Sequence, residues 1–551
     1  MTHFKNIVRY TCGCFLATAL LFSSCKDLDE TNINPNGVEA SEVNPNLIMP
    51  TVLTETAKLY NQLGYQDIAG VVQHTQKDAW FTSHNDYDWS GSQSWDSYYG
   101  ILRNNQLLLN RAEATGLTFH QGVGLVMKCF VFGLIADLWG DAPYSQALLG
   151  DSDDPQYMTP AYDQQADIYH GILTDLETAN QLLSGNASDY QGIDASADVY
   201  FNGNPDAWRR FANSLALRYY MRLSVKEPDY AKTGIAKIVN DAGQYPIITS
   251  ADQDVTMAYL GTSSNNSWPS NTEIDDTGGS NFRRLKMCST LIDELQALND
   301  PRLAIWANKV QIPLVVDASL PTGSDYIENG KRYLSPDVVG STKIDTDPDY
   351  VGMPPSYSSL PSSYNLNPTP GQTSYNPHVS FLNDIYQKAS GALLKARLLS
   401  AAEVNFILAE AALNGWISSD AQNHYEAGVQ ASLDTWGVSS SYATYIQQAN
   451  VRFNRTQEQI ITQKWIASWT AATEAWFDYR RTGFPVLQAG PNALRSALPL
   501  RFYYMEAELS LNATHAQEAL DRLKTTGYSQ ADGQNSAWSK FWLLQDTNKP
   551  Y

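Results

Sequence analysis

The sequence predicts a mainly α-helical fold that combines tetratricopeptide-type helix pairs with long irregular loops. Apolar residues recur at three- and four-residue steps over much of the chain, which is typical of helices with one buried face. Two such helices follow each other within about 35 residues, the size of one tetratricopeptide unit. The stretches between the helices are rich in Pro, Gly, Ser, Asn, Asp and Tyr and have little helical period.

Four amphipathic helices are predicted in the first half of the chain. One of them contains the apolar helical stretch MKCFVFGLIADLW. We therefore expect its cysteine, Cys129, to be a small buried hydrophobic residue. The four helices cover roughly residues 95–115, 122–139, 163–183 and 205–224.

The clearest helix pair is predicted from Ala401 onward. Small and apolar residues recur at helical spacing as far as Gly415, a natural stop. Ser419, with Gln422 three residues later, is predicted to form a capping box that begins the second helix. The apolar stripe of this second helix consists of Tyr425, Val429, Leu433 and Trp436.

A last long helix is predicted from Thr456 toward Gly483 and Pro485. Gln459, three residues after Thr456, is expected to complete the cap, and the glycine and proline end the helical pattern. The tryptophans along this helix are Trp465, Trp469 and Trp476.

Three segments are predicted to be long loops, at 185–204, 244–282 and 318–380. Connections of that length in a compact protein are usually functional or disordered, and the density of Tyr and Trp argues against disorder. We therefore expect residues 25–551 to form a single domain with a loop-rich insert at about 244–390.

Residues 1–24 are predicted to be a lipoprotein signal peptide. A basic start precedes an apolar run that ends at Phe22 and is too short to span a bilayer. The small pair Ser23 and Ser24 then leads to Cys25, whose thiol is predicted to be lipidated. A plain signal peptide with an incidental cysteine is the alternative. No later segment is an uninterrupted apolar run of membrane length.

The charge of the chain disfavours two classes of partner. Its formal net charge is -21 at pH 7, and a like-charged surface repels nucleic acid and anionic lipid headgroups. We therefore expect no nucleic-acid partner, and we expect the acidity to keep a surface protein soluble.

No cofactor, metal or redox site is indicated. Beyond Cys25 only Cys129 and Cys288 remain, and a disulfide between them is left open. The chain has no CxxC and no HExxH motif. Three acids after residue 344 have calcium-loop spacing, but the required glycine and final glutamate are missing. We expect them to lie in solvated turns.

Catalytic motifs are also missing from the sequence, which has no GxSxG elbow, Walker A loop or dinucleotide fingerprint. Glycoside hydrolysis needs only two carboxylates at the right distance in space. The sequence alone therefore leaves that activity open as an alternative.

Five segments along the chain follow a shared pattern. They are WDSYYGILRNNQLLLNRAE, ADLWGDAPYSQ, AEVNFILAEAALNG, EAWFDYRRTGFP and PLRFYYMEAELSLN. In this order they resemble the SusD/RagB family, and the acidic run KDLDE after Cys25 resembles a signal for export to the outer cell surface. The resemblance implies tetratricopeptide units packed against an irregular, loop-rich half. It also implies a surface lipoprotein that captures nutrient, usually glycan, as a lid on a SusC-like TonB-dependent transporter in the outer membrane.

The charged residues of EAWFDYRRTGFP are not expected to form an active site. Arg480 and Arg481 lie beside Asp478 near a helix end. At such a position, arginines cap carbonyl groups and pair with nearby acids. We therefore predict a structural role for both arginines.

A glycan site has its own physical requirements, namely exposed aromatic rings beside amide, carboxylate and guanidinium groups. Two Trp-rich loops, KDAWFTSHNDYDWSGSQ at 77–93 and SSNNSWPSN at 263–271, and one further tyrosine in MPPSYSSL offer this mixture. For each aromatic residue the alternative is packing of its loop onto the body. The predicted ligand residues are Trp80, Asn85, Asp86, Tyr87, Trp89, Asn265, Asn266, Trp268, Arg283 and Tyr357.

The sequence therefore favours a lipid-anchored, cell-surface glycan-binding protein that works with a TonB-dependent transporter and is not an enzyme. One alternative is a binder of peptides or another nutrient on the same scaffold. A glycoside hydrolase and a tetratricopeptide scaffold with only protein partners are the other two.

Overall fold

The structure is a computed structural model, and its described residues contain the whole predicted helical body. The predicted signal peptide, 1–24, and Cys25 lie outside the described residues. Pro45–Tyr551 forms one compact unit. The described residues are 42–91, 93–150, 152, 154–371 and 375–551.

The N-terminal half is built from helices, as the apolar periodicity predicts. Asn204 shows why one of them begins where it does: its side chain accepts hydrogen bonds from the backbone of the first turn, and Pro205 follows it. Consecutive long helices pack against each other. The helices are α1 Pro45–Gln62, α2 Thr82–Asn85, α3 Asp96–Ala114, α4 Thr118–Trp139, α5 Gln165–Leu182, α6 Pro205–Arg222 and α7 Pro228–Asn240.

Helix α4 is the core of this half. By length and composition alone it could cross a membrane, but 89% of its most apolar window is buried inside the protein, as in a core helix. Cys129 on α4 is buried and donates its thiol to the Ile172 carbonyl at 3.2 Å, as predicted for a small hydrophobic residue. In the described part of the chain Cys129 and Cys288 are both free thiols.

The middle of the chain contains short helices and strands between long loops. The helices here are α8 Ser280–Arg284, α9 Ser289–Ala297, α10 Leu303–Trp306 and α11 Pro336–Val339. The strands among the described residues are β1 Thr75–Lys77, β2 Val255–Ala258, β3 Leu285–Met287, β4 Leu314–Val316, β5 Asp325–Glu328, β6 Lys331–Leu334 and β7 Lys395–Leu399.

The strands form three small sheets. β2 pairs antiparallel with β7, and β6 lies between β4, which is parallel to it, and β5, which is antiparallel. β1 pairs antiparallel with β3, which sets Lys77 opposite Leu285. One Trp-rich loop follows β1 directly, and the other precedes β3 with α8 in between. The pairing of the two strands therefore draws the two loops toward each other.

The C-terminal half is again helical. Its first two helices are the predicted pair, but the second begins one residue later than expected. Asp420 caps it by accepting from Gln422 N at 3.0 Å, while the Ser419 hydroxyl bonds the ring of His424. The helices are α12 Ala401–Leu413, α13 Ala421–Thr435, α14 Tyr442–Tyr445, α15 Gln457–Ala467, α16 Thr473–Thr482, α17 Glu506–Leu511 and α18 Ala513–Asp521.

The long helix predicted from Thr456 is in fact two helices, α15 and α16. Thr456 caps α15 as predicted, by accepting from Gln459 N at 3.2 Å. The chain then leaves the helical conformation, and Thr470 has a φ of 69°, which no α-helix accommodates. Gly483, in the left-handed conformation, ends α16 as predicted.

A network of buried ion pairs joins the helices of both halves. Arg481 donates to both oxygens of Glu410 at 2.6 and 2.7 Å and to Asp478 at 2.9 Å. Arg480 instead donates to two backbone carbonyls at 2.7 and 2.6 Å. Both therefore have the predicted structural role. The network consists of Arg218, Arg222, Lys464, Arg480 and Arg481 with Asp137, Glu403, Glu410, Glu474 and Asp478.

Candidate ligand-binding cleft

A cleft of about 1150 Å³ opens where the two Trp-rich loops meet. One wall comes from the end of α1 and the π-helical turn Leu63–Asp67 that follows it, and another from the first half of α3. Residues from the loops after β1 and β2 complete the lining. The cleft is therefore held between rigid helices on one side and loops on the other.

The first loop is fixed by hydrogen bonds of two predicted ligand residues. The Asn85 side chain accepts from Lys77 N at 2.8 Å and donates to Lys77 O at 2.7 Å, which closes the loop after β1. The Asp86 carboxylate accepts from the Ser356 hydroxyl and the Asn492 amide, although burial raises its pKa. Both side chains are buried, so in this conformation they position the loop.

Trp89 lines the cleft, but most of its ring is packed on the body. Its indole N–H donates to Ser83 O at 3.0 Å. Its ring lies edge-to-face against Trp476 and Phe502, with centroids 5.7 and 5.0 Å away. With 5% of its surface exposed, Trp89 offers the cleft an edge. The neighbouring Tyr87 is fully buried.

In the second loop, one predicted ligand residue lines the cleft and the other hydrogen-bonds the backbone of its own loop. The Asn266 side chain accepts from Thr262 N and Ser263 N, both at 2.9 Å, and so caps a short turn. The preceding residue, Asn265, is exposed and lines the cleft. Asn265 is therefore free to meet a ligand.

Trp268 does not present the exposed face that the sequence analysis expects. It is fully buried, with Tyr65, Tyr259 and Tyr386 around it at centroid distances of 4.9, 5.8 and 6.0 Å. A large ring surrounded by other rings gains more by leaving water than by remaining at the surface. Trp268 lies outside the cleft lining and fastens its loop to the body.

Trp80, in contrast, is 76% exposed. It follows Lys77 in the first loop, and the Arg284 guanidinium lies over its ring at 3.9 Å from the centroid. Its φ is 50°, a left-handed conformation that is strained for a bulky side chain. Arg283, another predicted ligand residue, donates to Gly278 O at 3.0 Å. This hydrogen bond stabilises its own loop.

Tyr357 belongs to a different surface. Its half-buried ring packs at 5.1 Å from that of Tyr364, on a cluster that contains Met353 and Val379. It does not line the cleft. Of the ten predicted ligand residues, the structure therefore brings Trp89 and Asn265 to the cleft lining.

The sequence analysis missed the helical walls of the cleft. Gln62, Gln66 and Asp67 contribute from α1 and its π-helical turn. A signal was present in α3, where small and polar residues recur at helical spacing on one face. The lining residues of α3 are Ser97, Tyr98, Gly100, Ile101, Arg103 and Asn104.

Charge in the cleft is balanced. Asp67 is exposed at the cleft, but desolvation by the surrounding protein raises the pKa of its carboxyl to about 6, opposed by the charge of Lys77. Burial in turn lowers the pKa of Lys77. The ionic residues of the lining are three acids, Glu55, Asp67 and Asp275, and three bases, Lys58, Lys77 and Arg103.

The acids with calcium-loop spacing form turns. Asp345 accepts from Asp347 N at 2.9 Å, and Asp347 accepts from Asp349 N at 2.8 Å. Within the described ranges, no group of three or more His, Cys, Asp and Glu residues is placed to hold a metal ion.

The chain matches a known protein family over most of its length. A model of SusD-like proteins, described as starch-binding and associating with the outer membrane, matches residues 35–315 and 340–505. The chain belongs to the SusD-like family. The sequence resemblance is thereby confirmed over most of the chain, and no curated protein matches it.

Solved structures of SusD-like proteins share the fold. A SusD homologue from Bacteroides fragilis is 23% identical with a TM-score of 0.70, over 91% of this chain and 100% of its own. A chitin-binding protein is 23% identical with a TM-score of 0.68 over the same shares. A SusD-like protein from Bacteroides thetaiotaomicron is 21% identical with a TM-score of 0.67, again over 91% and 100%. At these identities the likeness shows the mainly α-helical SusD-like fold.

Proposed function

We propose that this SusD-like protein is a cell-surface lipoprotein that captures oligosaccharide or polysaccharide in the cleft and delivers it to a SusC-like TonB-dependent transporter. The observation that carries the proposal is the cleft of about 1150 Å³, which is lined by polar and aromatic residues of two loops and of the helices α1 and α3. Pockets that bind drug-sized ligands have volumes of roughly 300–1,000 Å³. The cleft therefore has room for several sugar rings.

The lining offers both kinds of contact that sugars require. Aromatic and apolar surface packs against the C–H faces of sugar rings, while amides bind their hydroxyl groups. The aromatic part of this surface is small, because each aromatic lining residue has only 5–7% of its surface exposed; these residues are Trp89, Tyr98, Tyr259 and Phe502. Amide lining residues are Gln62, Gln66, Gln93, Asn104 and Asn265.

The charges favour a neutral glycan. Acids and bases are equal in number in the cleft lining, so the cleft has no excess positive charge to attract an anionic sugar. The whole chain has a formal charge of -21, which repels uronic-acid or sulfated polysaccharides at long range.

Trp80 supplies an aromatic platform on the same loop as the cleft residue Trp89. An exposed tryptophan held at a φ of 50° is costly, and such strain persists mainly where function requires it. One face of the indole is covered by Arg284. We assign the rest of the ring to a sugar unit of the same glycan.

Filling the cleft tests the proposal. A Cβ on Gly100 of α3 would meet no heavy atom within 4 Å, so the side chain of Gly100→Trp begins in open space at the cleft lining. Gly527→Trp is the matched control, because Gly527 is equally open and lies outside the lining. Both variants are made in a soluble form that lacks residues 1–25 and titrated calorimetrically with maltoheptaose, chitohexaose and xylohexaose.

Gly100→Trp is expected to weaken binding about tenfold or more, a loss of about 1.4 kcal/mol, while Gly527→Trp binds normally. Normal binding by Gly100→Trp would contradict the site. Shortened sugars in the wild-type mixtures would instead assign the cleft to a glycoside hydrolase.

The anchor and the transporter are tested in the native membrane. Cys25→Ala is expected to abolish labelling with a fatty-acid analogue and to release the protein from outer-membrane fractions. Pull-down after gentle detergent extraction is expected to recover a TonB-dependent barrel. If Cys25→Ala is still labelled, the predicted lipid anchor at Cys25 is contradicted. If the protein is recovered alone in several detergents, the predicted transporter partner is contradicted.

A further inference from the structure

The hairpin β5–β6 lies in residues 316–339, the internal segment that the family model leaves unmatched. Its turn is Asn329-Gly330, with φ of 49° and 75°. Asn-Gly with both φ values positive forms the type I′ turn that matches the twist of paired strands. The sequence therefore specifies a well-defined hairpin outside the pattern shared by the family.

One face of the hairpin is fastened to the body. Arg332 pairs with both oxygens of Asp325 at 2.8 Å and donates to Leu366 O at 2.6 Å. Leu334, two residues further on the same face, is fully buried. β4 pairs along the other edge of β6, so the hairpin is rigidly held.

The opposite face presents two tyrosines to solvent. Tyr326 and Tyr333 are directly opposite each other in the sheet. Their rings stack at 5.5 Å between centroids and 16° between planes. Tyr326, on the edge strand, is 41% exposed. Val315 of β4 is opposite Tyr333 and continues the row. A rigid, outward-facing aromatic pair is typical of a recognition surface.

The edge of β5 does not favour an added protein strand. The strand has only four residues, and both of its ends are charged, at Asp325 and Glu328. Short strands with charged residues resist edge-to-edge pairing. The outward aromatic pair next to Glu328 and Lys331 instead offers a ring face beside polar groups, which is the combination that a sugar requires.

We propose that the hairpin face of Tyr326 and Tyr333 is a second carbohydrate-binding surface, for a neutral polysaccharide. This inference rests on the proposed function, since it assigns the same class of ligand. A polysaccharide is longer than the protein, so one chain can engage both the cleft and the hairpin. Linked binding at two sites raises the overall affinity for long chains above that for short ones.

The test compares Tyr326→Ala with Ile327→Ala in the chain lacking residues 1–25. Ile327 is exposed on the same strand but on the other face, so it controls for loss of exposed apolar surface. Binding to amylose, glycol chitin, xylan, mannan and mixed-linkage β-glucan is measured by electrophoresis in gels that contain each polysaccharide. Oligosaccharide affinity is measured by calorimetry, and melting temperatures are recorded.

Tyr326→Ala is expected to weaken binding about tenfold to the polysaccharide that slows the wild-type protein in the gel. A tenfold loss corresponds to about 1.4 kcal/mol, in the range expected for removing an aromatic side chain from an interface. The oligosaccharide affinity and melting temperature of Tyr326→Ala remain those of Ile327→Ala, and Tyr326→Phe restores polysaccharide binding. If Tyr326→Ala and Ile327→Ala bind the polysaccharide equally well, while Gly100→Trp still weakens oligosaccharide binding, the hairpin proposal alone is overturned. If none of the polysaccharides slows the migration of the wild-type protein in the gel, the proposed function is overturned as well.

Discussion

Replacing Trp80 with glycine is expected to weaken ligand binding without a matching loss of stability. The φ of 50° at Trp80 costs an L-residue roughly 1–2 kcal/mol relative to glycine. The lost contact with Arg284, at 3.9 Å, is worth about 0.5–1 kcal/mol at an exposed site. Little buried surface is lost because the side chain is 76% exposed. The free energy of unfolding should therefore stay unchanged or rise by about 1 kcal/mol.

The effect on binding is expected to have the opposite sign. Truncating an aromatic residue on which a ligand stacks typically costs about 2 kcal/mol, which is roughly a thirtyfold loss of affinity. Trp80→Phe keeps a ring in the same position, so it should lose much less affinity.

Calorimetric titration with the best-binding oligosaccharide and denaturant unfolding of the same samples measure both quantities. Arg455→Gly is the control, because Arg455 is exposed and has a φ of 62° but lies outside the cleft lining. Arg455→Gly should also relieve backbone strain, as measured by its free energy of unfolding, and should bind the oligosaccharide with normal affinity. Wild-type affinity in a folded Trp80→Gly protein would refute the platform, and destabilisation by more than about 2 kcal/mol would refute the strain argument.

Three further predictions follow from buried or cleft groups. Trp268→Ala should cost about 3–5 kcal/mol, which lowers the melting temperature of a unit of about 500 residues by about 3–5 °C. It should leave oligosaccharide affinity unchanged, and weaker binding by the variant would instead indicate that Trp268 belongs to the ligand site. The pKa of about 6 at Asp67 predicts that affinity falls from pH 7 to pH 5, as the carboxylate loses its capacity to accept hydroxyl hydrogen bonds. Asp67→Asn should remove this pH dependence. A wild-type affinity that stays the same between pH 7 and pH 5 would contradict the prediction. Arg481→Ala leaves the Glu410 carboxylate without its bidentate partner and should cost about 3–5 kcal/mol in denaturant unfolding; a loss below about 1 kcal/mol would be inconsistent with the ion network.

The helical half of the fold could be predicted because it depends on local periodicity. The spacing of apolar residues places α12 and α13 almost to the residue, and the position of Arg480 and Arg481 near a helix end indicates their structural role. The break between α15 and α16 was not predictable in this way. It depends on the conformation of Thr470, whose φ of 69° has no signature in the apolar pattern.

The candidate site was only partly predictable, because composition does not distinguish an exposed aromatic residue from a buried one. Trp80 and Trp268 both lie in polar loops. Two tyrosines from distant parts of the chain and one from the same loop region bury Trp268. Trp80, with an arginine over one face of its ring, stays exposed. These contacts exist only in the folded chain. Pairing of β1 with β3 is likewise long-range, so local sequence patterns did not predict that the two loops meet.

A crystal structure of the soluble protein with its tightest-binding oligosaccharide tests the central claim most directly. The account predicts sugar rings in the cleft, with hydrogen bonds to Asn265 and contact with the exposed edge of Trp89. An ordered oligosaccharide bound elsewhere on the protein, with only solvent in the cleft, would contradict it.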